Sequence, residues 1–396
     1  MKMPETKWTT LEIGEGVTLT EKGSKLDIDM KAPIWEHVYL KSNEFPCEAK
    51  KVYKIKIDAD KGKTDFRTLI QFYGDSSRGA DKYRQYIEVE DTFTVPEYID
   101  RFDITAVICT REDTKASLGE ISYEYAEDYK PHNVRLCSIS DAMVPEDCKG
   151  NQHDVMMAYV KLIDQVVAKE KPDLIVLTEH FHNMCNPPIA LKDKFVDYDN
   201  EVVTLIADKA KEHGIYISGS FHILENGCRY NRAILFDRKG EIIAEYDKTH
   251  LTIMEYEMGI VPGDNIVTVD TDIGRIGFVI CWDIWFPGLL ELYYKAGADI
   301  LINPTRGDGR PQAYAATYTS GTYLVSSAYK EMNRIQDKRG KVIDDCGRKG
   351  YSVATVDLNE PAWVPQLSVG GYCGEGRNIY RKERRPDMYG PLAEIN

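Results

Sequence analysis

The sequence predicts two domains of different class, an all-β sandwich of the jelly-roll kind over residues 1–126 and an α/β layer structure over residues 127–396. Three observations carry this. A chain of 396 residues exceeds the roughly 250–300 at which a single hydrophobic core stops growing. Apolar residues alternate in short runs up to about residue 125, then change to continuous runs and helical spacing. The change falls at Glu127-Asp128-Tyr129-Lys130-Pro131-His132, a polar stretch with a proline that reads as a linker.

In the first part, runs rich in Tyr, Val, Ile and Thr read as strands at Lys25–Met30, Trp35–Lys41, Lys51–Asp58, Arg67–Tyr73, Tyr83–Val89, Asp103–Thr110 and Glu120–Tyr125. Turn residues such as Asp60-Lys61-Gly62 separate them, and strands at this spacing specify a sandwich. In the second part Val134–Ile139 is a short apolar strand, His153–Glu170 has helical spacing, and Asp173–Thr178 is an uninterrupted apolar strand behind Pro172. Asn200–His213 is a helix stopped by Gly214, since glycine adopts the left-handed helix-ending conformation without a steric cost. Ile215–Ser220 is the next strand, and Arg229–Asp237 with Glu241–Tyr246 forms a hairpin around Arg238-Lys239-Gly240. Strands Ile266–Val269 and Arg275–Ile280, helix Leu289–Ala296, strand Asp299–Asn303, helix Pro311–Ser320 and strand Tyr323–Ser326 follow. Strands alternating with helices build a layered α/β domain with some antiparallel pairs.

Composition narrows the classes of function. Hydrophobic content of 43% and charged content of 29% are ordinary for a soluble protein. No apolar run approaches the roughly 18–20 residues of a membrane span. The amino terminus, MKMPETKWTTLEIGEG, lacks the apolar stretch of a signal peptide, so a cytoplasmic location is expected. A formal net charge of -14 repels polyphosphates and anionic lipid, which excludes broad nucleic-acid or membrane binding and leaves small molecules as partners. The nine cysteines have no C-x-x-C pair and no regular spacing. That excludes a zinc or disulfide scaffold and fits a reducing compartment.

Three short segments carry chemistry. The apolar strand RIGFVI delivers Cys281 at its end, before Trp282-Asp283-Ile284-Trp285-Phe286-Pro287 leads into a helix. A strand-to-helix turn exposes a nucleophile and aims free backbone N–H groups at the reacting centre. Taken alone, a cysteine there is as well explained by burial in a core. Asp173–Thr178 ends in Glu179, and a carboxylate where a buried strand stops suits a base, though it also suits a helix cap. Lys248 follows a strand of an apolar hairpin in Glu245-Tyr246-Asp247-Lys248-Thr249-His250, where a solvated surface lysine is the plainer reading.

Together and in this order, LIVLTEHF, EYDKTHL and GFVICWDIWFP resemble the glutamate, lysine and cysteine triad of the nitrilase, or carbon-nitrogen hydrolase, superfamily. The resemblance extends through PGDNIVTVDTDIGRIGFVICWD, GADILINPT, AATYTSGTYLVSSA, RGKVIDD and YSVATVDL, covering residues from about 132 to 360. It implies a four-layer α-β-β-α sandwich, homodimeric or larger, with Cys281 as nucleophile, Glu179 as general base and Lys248 as the oxyanion's cation. It implies also a supporting glutamate after the lysine, for which Glu255 and Glu257 both qualify. No metal or cofactor is implied.

The chemistry so implied is hydrolysis of non-peptide carbon-nitrogen bonds of the amidase type. A thioester forms on Cys281, ammonia or an amine leaves, and water releases the acid. The thiolate must be available near neutral pH, which Lys248 promotes. The oxyanion is stabilised by Lys248 and the Trp282 backbone N–H, each such donor being worth ~3–4 kcal/mol. A nitrilase and an N-carbamoyl amide hydrolase share this triad and stand as alternatives. Relatives acting on carboxylate-bearing substrates carry an arginine near Ile284 and Trp285, which this chain lacks; Trp282 and Trp285 suggest an apolar pocket wall instead. If Arg306 or Arg310 of Arg306-Gly307-Asp308-Gly309-Arg310 points inward, an acidic substrate returns. His180 and His182 beside the base receive no role. The amino-terminal tyrosines could stack on carbohydrate, although packing the sandwich or covering the hydrolase is the plainer reading, and a sugar- or surface-binding protein with a disused hydrolase domain is the reading of another class.

Overall fold

The computed structural model describes residues 4–32, 34–75, 77, 82–307, 309–330, 332–346, 350–365 and 373–389. The alternating first part forms strands β1 (Trp8–Ile13), β2 (Val17–Lys22), β3 (Lys25–Met30), β4 (Glu36–Ser42), β5 (Phe45–Pro46), β6 (Lys51–Asp60), β7 (Asp65–Gly74), β8 (Lys82–Ile87), β9 (Glu90–Thr94), β10 (Ile99–Thr110) and β11 (Thr114–Asp128). One sheet contains β1-β4-β10-β7-β8 and the other β2-β3-β11-β6-β9. The period-two pattern dictates which side chains meet. Phe102, Ile104, Ala106 and Ile108 of β10 are fully buried with Val38, Leu40, Ile55 and Leu118 in one core. Tyr53 and Tyr123 join it through ring contacts with Phe93 and Phe102, so these tyrosines pack the sandwich.

The remaining strands and helices are β12 (Asn133–Ile139), α1 (Gln152–Glu170), β13 (Leu174–Glu179), α2 (Glu201–His213), β14 (Tyr216–Glu225), β15 (Cys228–Phe236), β16 (Ile242–Asp247), α3 (Ile253–Glu257), β17 (Thr268–Thr271) and β18 (Gly274–Phe278). After them come α4 (Pro287–Lys295), β19 (Ile300–Pro304), α5 (Arg310–Ser320), β20 (Tyr323–Ser327), β21 (Arg334–Gln336), β22 (Val342–Asp345), β23 (Tyr351–Asp357), β24 (Trp363–Pro365), β25 (Cys373–Glu375), α6 (Gly376–Glu383) and α7 (Pro386–Tyr389).

Two six-stranded sheets, β16-β15-β14-β13-β12-β23 and β17-β18-β19-β20-β21-β22, form the centre of this second unit. Alternation within a fully buried strand explains the layers. Leu174 and Val176 of β13 meet Ile276, Ile300 and Val325 between the sheets, while Ile175 and Leu177 meet Tyr159 and Ile206 of α1 and α2. On the far side Leu289 and Tyr293 of α4 and Ala313 of α5 pack with Leu301 and Leu324. This is the four-layer α-β-β-α order. Pro287 starts α4, so Gly288 leaves the helix after the cysteine turn intact.

The division differs from the expected one at 126/127. One unit comprises Met1–Lys130 with Pro361–Asn396 and the other Pro131–Glu360. The closing segment therefore belongs with the sandwich: β25 pairs parallel with β8, and Ile379 of α6 packs on Leu69 and Tyr86. β8 otherwise presents an unpaired strand edge, and the returning segment covers it. Three-residue strands such as β24 and β25 leave no periodic signal in the sequence.

Candidate functional site

Glu179, Lys248 and Cys281 come from three separate strand ends and line one cavity of about 610 Å³, with Glu255 beside them. A regular alternation along β13 would send Glu179 toward the helices with Ile175 and Leu177. The pairing with β14 slips between Val176 and Glu179, so that Glu179 pairs with Ser220. The bulge re-aims the carboxylate to the side of Ser220 and Asn231. Lys248 directly follows β16, where its N–H donates to Asn231 O at 2.9 Å.

Glu179 and Lys248 are each 2% exposed. Lys248 Nζ donates to Glu179 Oε1 and to both Glu255 oxygens, each at 2.9 Å. Asn231 Nδ2 donates to Glu179 Oε1 at 2.9 Å and to Glu255 Oε1 at 2.7 Å, while Asn231 Oδ1 accepts from the Ser220 hydroxyl at 2.5 Å. Glu255 is held by the Thr252 N–H and hydroxyl at 2.8 and 2.9 Å, the reciprocal cap of α3. Glu257 is exposed. Two residues apart on a short helix, the two glutamates face opposite sides, and Glu255 is the one that meets the lysine. Burial works against the Lys248 ammonium, but the charges of Glu179, the Cys281 sulfur and Glu255 outweigh it and hold the pKa above the ordinary lysine value.

Cys281 has φ +47°, a left-handed conformation uncommon for a side chain with a Cβ. Asp283 fixes the turn. Fully buried, it accepts from the Ile280 N–H at 2.9 Å, the Tyr246 hydroxyl at 2.8 Å, the His250 N–H at 2.8 Å and His250 Nδ1 at 3.0 Å. The cysteine turn is thereby tied to the loop that carries Lys248. Burial and the Glu179 charge raise the thiol to about 11, although Lys248, the Thr305 hydroxyl and the Arg306 N–H pull the other way. Burial and Glu179 thus favour the thiol of Cys281 over the thiolate that Lys248 alone would promote. The Trp282 N–H donates to no described residue, so a donor stands open beside the sulfur.

Trp282 and Trp285 do not line the cavity. They are 38% and 46% exposed with their rings 5.3 Å apart, because the single turn Cys281–Trp285 buries Asp283 and Ile284 and sends positions three apart outward together. Arg306 does line it; the side chain of Arg310 lies outside the described residues. Asn231, Asp283, Thr305, Lys194 and His222 were not singled out from the sequence. A lone asparagine inside the apolar run CRYNRAILF was the available signal for the first.

Among the described residues one group has metal-ligand spacing, Asp164, Glu212 and His213. Lys209 Nζ already spans it, 2.8 Å from Asp164 and 2.7 Å from Glu212.

A sequence model of the carbon-nitrogen hydrolase family matches residues 142–363, over half of the chain. "Probable hydrolase YhcX" of Bacillus subtilis (strain 168) is 34% identical over 49% of this chain, although the match spans only 38% of that relative's own length. "N-carbamoylputrescine amidase" of Solanum tuberosum is 34% identical over 47% of this chain and 71% of its own. The carbon-nitrogen hydrolase from Helicobacter pylori G27 superposes with a TM-score of 0.54 at 18% identity, covering 67% of this chain and 99% of that structure, a likeness of fold. The chain belongs to the carbon-nitrogen hydrolase family.

Proposed function

We propose that this protein is an amidase-type hydrolase of small amides, with Cys281 as nucleophile, Glu179 as general base and then acid, Lys248 as oxyanion cation and Glu255 as the anchor of Lys248. The observation that carries the reading is the buried hydrogen-bonded set Glu179, Lys248, Glu255 and Asn231 opening onto the same cavity as Cys281. A buried lysine between two carboxylates serves no packing purpose and is costly without charge partners. It suits a site where negative charge must move.

In this mechanism the substrate carbonyl carbon bonds to Sγ while Glu179 takes the thiol proton. The carbonyl oxygen becomes an oxyanion facing Lys248 Nζ and the Trp282 N–H. Collapse breaks the carbon-nitrogen bond, and Glu179 protonates the leaving amine. The thioester is hydrolysed by water that Glu179 deprotonates, returning the proton to sulfur. Nitriles and N-carbamoyl compounds engage the same groups and form the comparison panel. Ammonia release is expected from amides above nitriles and carbamoyl compounds, and Cys281→Ala is expected to fold but release none. Release from nitriles alone would overturn the amidase assignment, and undiminished release by Cys281→Ala would overturn the mechanism.

A further inference from the structure

The wall of the cavity away from Glu255 holds a surplus of hydrogen-bond donors. Arg306 follows β19 and lines the same cavity as Cys281. The guanidinium runs to Met184, with Nη1 2.9 Å from Sδ, and lies 4.5 Å from the Tyr329 ring centre. A thioether is a weak acceptor and leaves most of the five guanidinium donors unanswered. No described carboxylate lies within ion-pair distance of Arg306 or of half-buried Lys194, which lines the same cavity. Asp141 also lines it, but its Oδ1 accepts from the Lys330 N–H at 2.7 Å, and Glu146 is paired with Lys149 at 2.7 Å.

A second observation is independent of these charges. His222 is 3% exposed and lines the cavity, and its Nε2 has no partner. Its tautomer follows from its neighbours. Asn183 Oδ1 accepts from Gln152 at 2.8 Å, which makes Nδ2 the donor; that donor lies 3.1 Å from His222 Nδ1, so Nδ1 accepts and the proton is on Nε2. The Nε2–H is thus a buried donor awaiting an acceptor. The His180 ring, 4.7 Å from His222, has its own Nδ1 unpartnered in the same wall.

We propose that Arg306, with the His222 Nε2–H and Lys194, forms an anion subsite that takes a carboxylate on the acyl part of the substrate. This rests on the amidase reading. It places the carboxylate on a different strand end from the position just after the cysteine. On a chain of net charge -14, an arginine and a lysine that form no ion pair with any described carboxylate, although Asp141 and Glu146 share their cavity, mark the polarity of what enters.

The test compares three primary amides of one length: glutaramic acid, pentanamide and 5-aminopentanamide. Wild-type kcat/KM is expected to favour glutaramic acid over pentanamide by about tenfold or more, with the ammonium compound poorest, since one charge-assisted contact of ~1.4 kcal/mol is tenfold. In Arg306→Gln that ratio falls toward one, and Arg306→Lys recovers part of it. In parallel, glutarate is expected to slow iodoacetamide labelling of Cys281 in wild type and not in Arg306→Gln, which needs no turnover. Turnover of pentanamide with no preference for the acid and no glutarate protection overturns the subsite and leaves the amidase reading standing. Glutarate protection that depends on Arg306, with no amide turned over, upholds the subsite and overturns the amidase reading.

Discussion

Replacing Glu179 with glutamine is expected to stop turnover while making Cys281 more reactive. Burial and the Glu179 charge hold the thiol at about 11, against the pull of Lys248. The thiolate fraction at neutral pH is therefore held below that of an ordinary cysteine, which is roughly 10% at pH 7.5. Glutamine keeps the shape, since one amide oxygen can accept the bonds from Lys248 and Asn231 that Glu179 Oε1 now accepts. It removes the charge. A carboxylate a few ångströms from a titrating group shifts its pKa by ~1–3 units, so the thiolate population should rise about tenfold or more. The assay is the rate of iodoacetamide addition to Cys281, followed by mass between pH 6 and 10, beside ammonia release at the same pH. Wild-type labelling should climb about tenfold per pH unit through neutrality, and the variant's curve should lie to its left. Labelling that slows in step with turnover would refute the claim that Glu179 suppresses the thiolate at rest.

Lys248→Met leaves the Glu179 and Glu255 carboxylates buried with only Asn231 between them. Inactivity and a loss of ~3–5 kcal/mol in urea unfolding are expected, and wild-type stability would contradict the network. Asp283→Asn turns one oxygen into a donor among four donors that now converge on it, so ~1–3 kcal/mol of stability and most of kcat should be lost with KM less affected; an unchanged kcat would free the Cys281 turn from dependence on it. His182 is fully buried and its pKa is lowered to about 4 from 6.5 by that burial. Between those values the unfolded chain binds the proton and the folded one does not, so this stabilisation is complete above about pH 6.5 and lost as pH falls, by ~3 kcal/mol on reaching pH 4. Chemical unfolding in steps from pH 7.5 to 4 should show a slope at least this steep, because burial lowers His180 and His222 as well, and His182→Gln should remove about that share of it; a slope unaltered in the variant would assign the acid lability elsewhere.

Much of this was legible because strong local patterns agreed with the fold. The buried strands DLIVLT and RIGFVI, the stop at Gly214 and the hairpin at Arg238-Lys239-Gly240 all lie where periodicity and turn chemistry put them. The strands β1, β2 and β9 were not predicted. They carry mostly exposed or polar residues, such as Thr9 and Glu21, and sit at sheet edges where one apolar face is hardly needed. The choice between Glu255 and Glu257 depended on a one-turn helix too short to show a period, and only packing against Lys248 decides it. Trp282 and Trp285 misled because aromatic residues beside a nucleophile suggest a pocket wall. The direction of a single helical turn, set by Asp283 being pulled inward, sends them outward. Local rules fail at the bulge before Glu179, at His180 with φ +37° and at Cys281 with φ +47°. These departures cluster at the cavity, where geometry serves chemistry more than packing.

The charges of the buried set explain why two carboxylates accompany one lysine. With Cys281 as a thiol the set carries Glu179, Lys248 and Glu255, one net negative charge. In the proposed mechanism the proton of the attacking sulfur passes to Glu179 and the negative charge reappears on the oxyanion, so the total is unchanged. Glu255 and Lys248 form a constant neutral pair, while the mobile charge moves between two places that Lys248 can face. A buried site meets a large solvation penalty for any net gain or loss of charge, and this exchange involves neither. Had Glu255 been absent, Lys248 would be neutralised by Glu179 alone, and protonating Glu179 would leave a bare ammonium to be satisfied only by the oxyanion. Resting stability and proton transfer would then compete for the same lysine. With Glu255 holding both of its oxygens on Nζ at 2.9 Å, the lysine has a charge partner besides Glu179, which in the proposed mechanism leaves Glu179 for proton transfer.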